Sequence, residues 1–162
     1  MSQAIQFRKG MAVKRYHTVN LVIDETVGHH SCNVAHLVIL ICESMRIEPS
    51  VNLLKTALMH DVAEQWTGDI PATAKWESEE FAGALESMEN YMALKNELVI
   101  PTITEYEYDI LKQADMLDLV LKMQEEIGMG NFDCIGVMNR GFEAIMKNNP
   151  CSFVKEILNV TE

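Results

Sequence analysis

The sequence predicts an all-α protein that folds as one compact domain over residues 1–162. Apolar residues recur at helical spacing in long segments, and capping or helix-breaking residues separate these segments. No segment of any length alternates apolar and polar residues, as a half-buried strand would. A chain of 162 residues, 48% of them apolar, is also large enough to bury one sizeable core.

Start and stop signals bound the predicted helices. The first convincing helix covers residues 29–46, where Val34, Leu37 and Val38 begin an i, i+3, i+4 pattern. A second helix covers about 51–66 after the N-cap Ser50 and ends before Gly68. The remaining helices are expected at about 78–99 with the cap Ser78, 104–127 with a capping box from Thr104 to Glu107, 132–147 with the cap Asn131, and 151–159, while residues 1–12 form a lead-in or a short helix.

Composition and charge exclude several classes of function. The formal net charge of −11 disfavours a nucleic-acid partner, because binding many phosphates requires a basic surface. No apolar segment reaches the roughly 18 residues of a membrane span, and residues 1–10 lack the apolar core of a signal peptide. The four cysteines lack metal-binding spacing, so reduced thiols are expected. We therefore expect a cytoplasmic protein without a membrane partner.

An adjacent pair, His60 and Asp61, lies inside an otherwise apolar helical segment. Desolvating an imidazole beside a carboxylate is costly unless one partner binds both. A divalent metal ion is the simplest such partner, and His30 and Asp115 lie on two other predicted helices and can complete its ligand set. Each of these residues alone is more often a hydrogen-bonded core histidine or a surface carboxylate, so the interpretation depends on the joint pattern. Glu64, four residues after His60, would lie near a water bound to this metal.

These residues resemble the H…HD…D signature of the HD-domain metal-dependent phosphohydrolases. Residues 60–71 are similar to the H-D-x-x-E-x-x-x-G-D-[IL]-P segment of the bacterial 5′-deoxynucleotidase branch, and residues 112–115 are similar to its K-Q-A-D motif. Residues 14–17 resemble its early Arg-plus-aromatic element. That branch often has Glu-His-Ser where this chain has His29-His30-Ser31, so His29 stays open as an alternative ligand.

The resemblance implies a role for each candidate residue. One divalent ion (Co, Mn, Zn, Fe or Mg) would be held by His30, His60, Asp61 and Asp115. Glu64 would position or deprotonate the attacking water, and Asp69 would lie near the leaving oxygen or the sugar 3′-hydroxyl. Substrate contacts are expected from the phosphate clamp Arg15, from Tyr16, Lys75 and Lys112.

The sequence alone also allows simpler interpretations of these residues. Arg15, Lys75 and Lys112 could be solvated surface cations, and Asp69 could simply bond the backbone of its own turn. Trp66 and Trp76 are expected in the core, whereas Tyr16 could be either a stacking surface or a core residue.

The expected function is hydrolysis of deoxynucleotides. The short chain and its opening look like compact phage enzymes that hydrolyse dATP to deoxyadenosine and triphosphate, in phages that replace adenine by 2-aminoadenine. Alternatives are a 5′-deoxynucleotidase acting on monophosphates, a catalytically silent HD protein that binds a nucleotide, and a purely structural helical bundle. The expected partner is a small deoxynucleotide, and the resemblance implies a homo-oligomer, in the host cytoplasm if the protein is phage-encoded.

Overall fold

Helices form the framework of the protein in the computed structural model, which describes residues 2–160. Within this range the α-helices are α1 (Gln3–Met11), α2 (Val27–Ser44), α3 (Val51–Met59), α4 (Glu64–Thr67), α5 (Ala72–Glu77), α6 (Glu79–Lys95), α7 (Glu105–Gly128), α8 (Ile135–Lys147) and α9 (Ser152–Ile157), with a 3₁₀ turn at Phe132–Cys134. An isolated antiparallel bridge pairs Lys14 with Thr26, and no strand forms among the described residues. The all-α prediction is therefore confirmed. None of these helices combines the length and apolarity needed to cross a bilayer.

Helices α2 and α7 lie at the centre of the fold. Helix α2 packs on α3 and α7, and the other side of α7 packs on α8. Their facing residues build the main core, in which Val34, Val38, Ile41, Leu117 and Val120 are almost completely buried. The helical spacing of these residues explains why α2 and α7 bury their apolar faces against each other. That the whole chain is one domain stays a prediction.

Most of the predicted caps are present. The side chains of Ser50 and Ser78 accept hydrogen bonds from backbone N–H groups at the starts of α3 and α6. Thr104 and Glu107 form the expected capping box of α7. Asn131 is an exception, because its amide instead donates to the Glu126 carboxylate and to a backbone carbonyl. The structure therefore contradicts the predicted Asn131 cap.

The predicted helix at 51–66 is broken at residues 60–63. The His60 N–H still bonds four residues back, but the N–H groups of Val62 and Glu64 bond only three residues back, to the carbonyls of Met59 and Asp61. The chain therefore tightens into turns, and a new short helix begins at Glu64. Tertiary packing explains the break, because Val62 is fully buried in a small cluster with Ala93 and Leu98. The turn brings His60 and Asp61 towards α2 and α7.

A buried ion pair within α7 holds the loop between α1 and α2 through hydrogen bonds to the loop backbone. Lys122 Nζ lies 2.9 Å from Glu126 Oε1, and the Glu126 carboxylate also accepts hydrogen bonds from the backbone N–H groups of Val22 (2.6 Å) and Ile23 (3.2 Å). Burial alone would raise the pKa of Glu126, but the hydrogen bonds from Asn131, these N–H groups and Lys122 hold it at about 2. The same loop between α1 and α2 contains residues 15, 16 and 25, which lie at the candidate metal centre.

Candidate metal centre

Three separate parts of the fold bring four sequence-predicted residues to one point. His30 comes from α2, His60 and Asp61 from the turn after α3, and Asp115 from α7. His30 Nε2 lies 3.4 Å from Asp61 Oδ2 and 3.2 Å from Asp115 Oδ1, and His60 Nε2 lies 3.4 Å from Asp61 Oδ1 and 4.0 Å from Asp115 Oδ1. The donor atoms of His30, His60 and Asp115 all lie within 4.8 Å of one another. His29 is exposed and does not enter this cluster.

The two imidazoles direct the same ring nitrogen towards this point. The Nδ1 atom of His60 lies 2.9 Å from the Ala57 carbonyl oxygen, which can only accept a hydrogen bond. The Nδ1 atom of His30 lies 2.7 Å from Asp118 Oδ2. Both Nε2 atoms are buried without a hydrogen-bond partner. Two nitrogen lone pairs facing two carboxylates are a donor set that fits a single divalent cation, in agreement with the predicted cofactor.

The electrostatics of this cluster favour ionised carboxylates. Burial would raise the pKa of Asp61, but the neighbouring imidazoles and Arg15 outweigh it and lower that pKa. The pKa of Asp115 lies well below its usual range because His30 and Lys112 outweigh burial in the same way. Burial lowers the pKa of His30, but the carboxylates of Asp115 and Asp118 raise it to about 9. A proton and a metal ion therefore compete for the Nε2 atom of His30.

Glu64 begins α4 and is almost completely buried beside the cluster. Its Oε2 atom has no hydrogen-bond partner, and its Oε1 atom lies 3.6 Å from Lys75 Nζ. Burial, reinforced by the carboxylates of Asp61 and Asp69, raises the pKa of Glu64 to about 9. A carboxyl group with so high a pKa is protonated at neutral pH, and the positive charge of a divalent ion bound beside it would lower this pKa towards the range of a residue that deprotonates water.

Asp69 and Tyr16 form a contact that links two distant parts of the chain. Asp69 Oδ2 accepts a hydrogen bond of 2.9 Å from the backbone N–H of Tyr16, so Asp69 is not a residue that merely bonds its own turn. Tyr16 has a φ of 56° in the left-handed region, which a non-glycine residue adopts only when its surroundings hold it there. The ring of Tyr16 is buried in the main core, although the residue also contributes to the wall of the cleft.

Arg15 and two lysines supply positive charge around the cluster. Arg15 Nη1 lies 2.9 Å from Asp61 Oδ2, and its side chain is only 8% exposed, so Arg15 is not a solvated surface residue. Lys112 Nζ lies 3.4 Å from Asp115 Oδ2, and both Lys75 and Lys112 are more exposed than Arg15. Each cation therefore already contacts one of the acidic residues of the site.

A cleft of about 170 Å³ joins these residues. Its charged lining consists of Arg15, Asp61, Glu64, Asp69, Lys75, Lys112 and Asp115, and its apolar lining includes Ile70, Pro71, Trp76, Met116, Leu119 and Val137. Trp76 is 39% exposed and lines this cleft, so its expected place in the core is wrong. Trp66 packs against the smaller apolar cluster, as expected. A more open depression near Gln6 and Trp66 contains none of the candidate ligands.

Sequence reasoning missed two buried carboxylates beside His30. Asp118 bonds the imidazole directly, and Glu25 lies beside Arg15, with its Oε1 atom 3.6 Å from Arg15 Nε. Asp118 could have been found from the sequence, because it follows Asp115 by three residues and shares its helix face inside an apolar segment. Glu25 lies in a loop without any periodic pattern, so no comparable signal exists for it.

Comparisons with known proteins identify the family of this chain. The model of the family described as 5′-deoxynucleotidase YfbR-like matches residues 8–160. A 5′-deoxynucleotidase of Cronobacter sakazakii is 27% identical over 138 residues, and the 5′-deoxynucleotidase YfbR of Shigella boydii is 28% identical over 138 residues. Each alignment covers 74% of this chain and 69% of the relative.

Two solved structures share the fold. The cyanophage S-2L HD phosphohydrolase DatZ, bound to dA and one catalytic Zn²⁺ ion, aligns with a TM-score of 0.73 and 18% identity over 91% of this chain and 84% of DatZ. The PH0347 protein of Pyrococcus horikoshii aligns with a TM-score of 0.68 and 20% identity over 97% of this chain and 95% of that protein. The chain therefore belongs to the YfbR-like 5′-deoxynucleotidase family and is a deoxynucleotide phosphohydrolase of the HD superfamily.

Proposed function

We propose that the protein hydrolyses the bond between the 5′-oxygen of a deoxynucleoside and the first phosphorus atom of its phosphate chain. The observation that carries this proposal is the convergence of His30, His60, Asp61 and Asp115 at a cleft that Asp61 and Asp115 line together with a buried carboxyl group, Glu64. Such a site has the parts that hydrolysis of a phosphate ester requires: ligands for a divalent ion, a proton acceptor and cations that offset phosphate charge.

The four ligand residues would hold the divalent ion through the two Nε2 atoms and one oxygen of each carboxylate. When bound, this ion would polarise a phosphoryl oxygen of the substrate and lower the pKa of a bound water. The protein holds both imidazoles with Nδ1 engaged by Ala57 or Asp118, so the ligand atoms are already oriented.

Glu64 accepts the proton of the attacking water while the new oxygen–phosphorus bond forms. As the bond from phosphorus to the 5′-oxygen breaks, the leaving oxygen takes a proton from solvent and becomes the 5′-hydroxyl group, and Glu64 returns the proton that it accepted to solvent. Asp69 is held against the Tyr16 backbone and lines the same cleft, which supports a role beside the leaving oxygen or the 3′-hydroxyl. Tyr16 and Asp69 together would form the side of the cleft that meets the sugar.

Arg15, Lys75 and Lys112 would bind the phosphate oxygens. The guanidinium group of Arg15 suits a bidentate contact with phosphate, whereas the lysines act as more exposed point charges. In the protein each cation lies between 2.9 and 3.6 Å from an acidic residue. An incoming phosphate would therefore bind cationic side chains that the acidic residues already hold in position.

The sharper form of the proposal is hydrolysis of dATP to deoxyadenosine and triphosphate, as part of nucleotide-pool control in a phage. Three cationic side chains around one cleft support it. A triphosphate carries more negative charge than a monophosphate and therefore needs more cations to balance it. The fold shared with DatZ, whose solved structure contains dA, supports it as well. The alternative, release of phosphate from deoxynucleoside monophosphates, is supported by the family match.

Two non-catalytic alternatives are less consistent with the site. A silent nucleotide-binding protein would not need a buried carboxyl group with a raised pKa next to the candidate ligands, and a structural bundle would not need the ligands either. Assembly into a homo-oligomer is also proposed, supported by the exposed apolar side chains Phe81, Met88, Tyr91 and Leu94 on α6. With a net charge of −11, the proposed partner is a small deoxynucleotide and not a nucleic acid.

The test is a product assay with metal-loaded protein and two substrates, dATP and dAMP. Release of triphosphate and deoxyadenosine from dATP supports the sharper proposal, and release of phosphate from dAMP alone supports the alternative. EDTA should abolish either reaction. Absence of metal-dependent turnover over a panel of deoxynucleotides, with a metal ion still bound, would favour the silent nucleotide-binding protein.

A further inference from the structure

The imidazole of His30 is completely buried between carboxylates on both of its sides. Its Nε2 atom faces Asp61 and Asp115, and its Nδ1 atom lies 2.7 Å from Asp118 Oδ2. Asp118 is itself only 4% exposed. A contact of this length between two buried groups is a charge-assisted hydrogen bond, and it fixes both the orientation of the ring and the position of its hydrogen.

We propose that Asp118 is a positioning residue, which accepts the hydrogen bond of His30 Nδ1–H and so keeps the lone pair of Nε2 directed at the candidate metal centre. This inference rests on the proposed function only in assuming that a divalent ion binds there. Asp118 would not be a ligand of this ion, because it contacts the opposite nitrogen of the ring.

The two histidines of the site are not held equally. The Nδ1 atom of His60 bonds a backbone carbonyl, that of Ala57, at 2.9 Å, whereas the partner of His30 is a carboxylate at 2.7 Å. A carboxylate increases the basicity of the imidazole more than a neutral carbonyl does. His30 should therefore be the stronger of the two nitrogen ligands, and this strength should depend on a side chain that mutation can remove.

Helix α7 supplies both a candidate ligand, Asp115, and the residue that orients His30, Asp118. Asp115 and Asp118 are three residues apart on α7, so they lie on the same face and meet His30 from α2. Any displacement of α7 relative to α2 would move both carboxylates together. The anchoring of His30 is therefore built into the packing of the two central helices.

A second cation behind His30 is the competing explanation of the same residues. Ligand atoms of Glu25, His30 and Asp118 also lie within 4.8 Å of one another. However, the 2.7 Å separation of His30 Nδ1 and Asp118 Oδ2 is the length of a direct hydrogen bond, and the hydrogen on Nδ1 occupies the position through which this nitrogen would bind an ion. Arg15 already lies beside Glu25, with Nε 3.6 Å from its carboxylate, and supplies positive charge there.

The experiment compares Co²⁺ binding to the wild-type protein, Asp118→Ala and Asp118→Asn by calorimetric titration, with folding checked by circular dichroism. We expect Asp118→Ala to raise the Kd for Co²⁺ by about 10- to 100-fold. Asp118→Asn keeps a carbonyl oxygen that can accept from Nδ1–H, so its Kd should be intermediate. Asp109→Asn is the matched control, because Asp109 is exposed on the same helix, and its Kd should equal that of the wild type.

A second readout follows the hydrogen itself. In the Zn²⁺-loaded wild-type protein, the ring N–H of His30 should give a slowly exchanging proton resonance, and Asp118→Ala should lose it. Unchanged Co²⁺ affinity in folded Asp118→Ala would overturn the proposal, as would a fall from two bound ions to one without a change in the affinity of the remaining ion. If Asp118→Ala does not fold, Asp118→Asn decides by the same criteria. Wild-type turnover is measured separately, so failure of the proposed reaction is distinguishable from failure of this inference.

Discussion

Replacing Glu64 with Gln is the most direct perturbation of the proposed chemistry. The amide has nearly the same shape as the carboxyl group but cannot accept the proton of the attacking water. The Oε2 atom of Glu64 has no partner to lose, and the contact with Lys75 is a 3.6 Å pair with a partly exposed lysine. We therefore expect the free energy of unfolding to change by no more than about 1 kcal/mol.

The expected effect of Glu64→Gln on turnover is much larger. A positioned proton acceptor contributes about 10²- to 10⁴-fold to rate, which corresponds to about 2.7–5.5 kcal/mol of activation free energy. Steady-state kinetics with dATP and dAMP should show this loss in kcat, while calorimetric titration shows unchanged binding of Co²⁺. Glu80→Gln is the matched control, because Glu80 is exposed on α6 and should not alter kcat. A kcat for Glu64→Gln within a factor of about three of the wild-type value would refute the assignment.

Four further substitutions test the fold and the site. Glu126→Gln should destabilise the protein by about 1–3 kcal/mol at neutral pH; because the folded pKa of about 2 lies below the ordinary value, this difference is complete above about pH 4.5 and should shrink in urea titrations as pH falls towards 2. Gly10→Ala should cost about 1–3 kcal/mol and weaken Co²⁺ binding, because the new Cβ would lie 2.7 Å from the backbone oxygen of Val62 beside the ligand turn. Gly83→Ala meets nothing within 4 Å and should raise the thermal midpoint. Lys112→Ala should raise KM for dATP roughly fivefold and more than KM for dAMP.

Each of these predictions has an outcome that contradicts it. A stability difference between wild type and Glu126→Gln that is the same at every pH would mean that the Glu126 charge is not the origin of the effect. Equal thermal midpoints for the two alanine variants would contradict the close packing of Gly10 on Val62. Equal increases in KM for dATP and dAMP in Lys112→Ala would show that Lys112 does not contact the outer phosphates.

Local patterns were sufficient to predict most of the helices. The apolar spacing of α2 and the capping box of α7 are properties of short segments, and both are present as expected. The turn at residues 60–63 could not be predicted in this way, because the segment has the composition of a helix and breaks through the burial of Val62 in a second cluster. Asn131 likewise has the residue type of a cap, but its amide donates to the Glu126 carboxylate and to the backbone carbonyl of the distant Asn20.

Part of the candidate site was predictable because some of its residues are polar or charged within apolar helical segments. His60 and Asp61 stand out as polar residues in an apolar helical segment, and the structure brings them to His30 and Asp115. The partners of these residues were not predictable from the sequence in the same way. A single loop carboxylate such as Glu25 has no pattern, and its place beside Arg15 depends on how the loop folds back on α7.

We expect four side chains from three parts of the fold, His30, His60, Asp61 and Asp115, to bind one divalent ion. Crystals grown with Zn²⁺ and measured at its absorption edge test this directly by anomalous scattering. We expect one strong peak per chain at about 2.0–2.2 Å from the Nε2 atoms of His30 and His60 and from one oxygen each of Asp61 and Asp115. A well-ordered structure with no peak between these residues, or with the ion bound elsewhere, would contradict it.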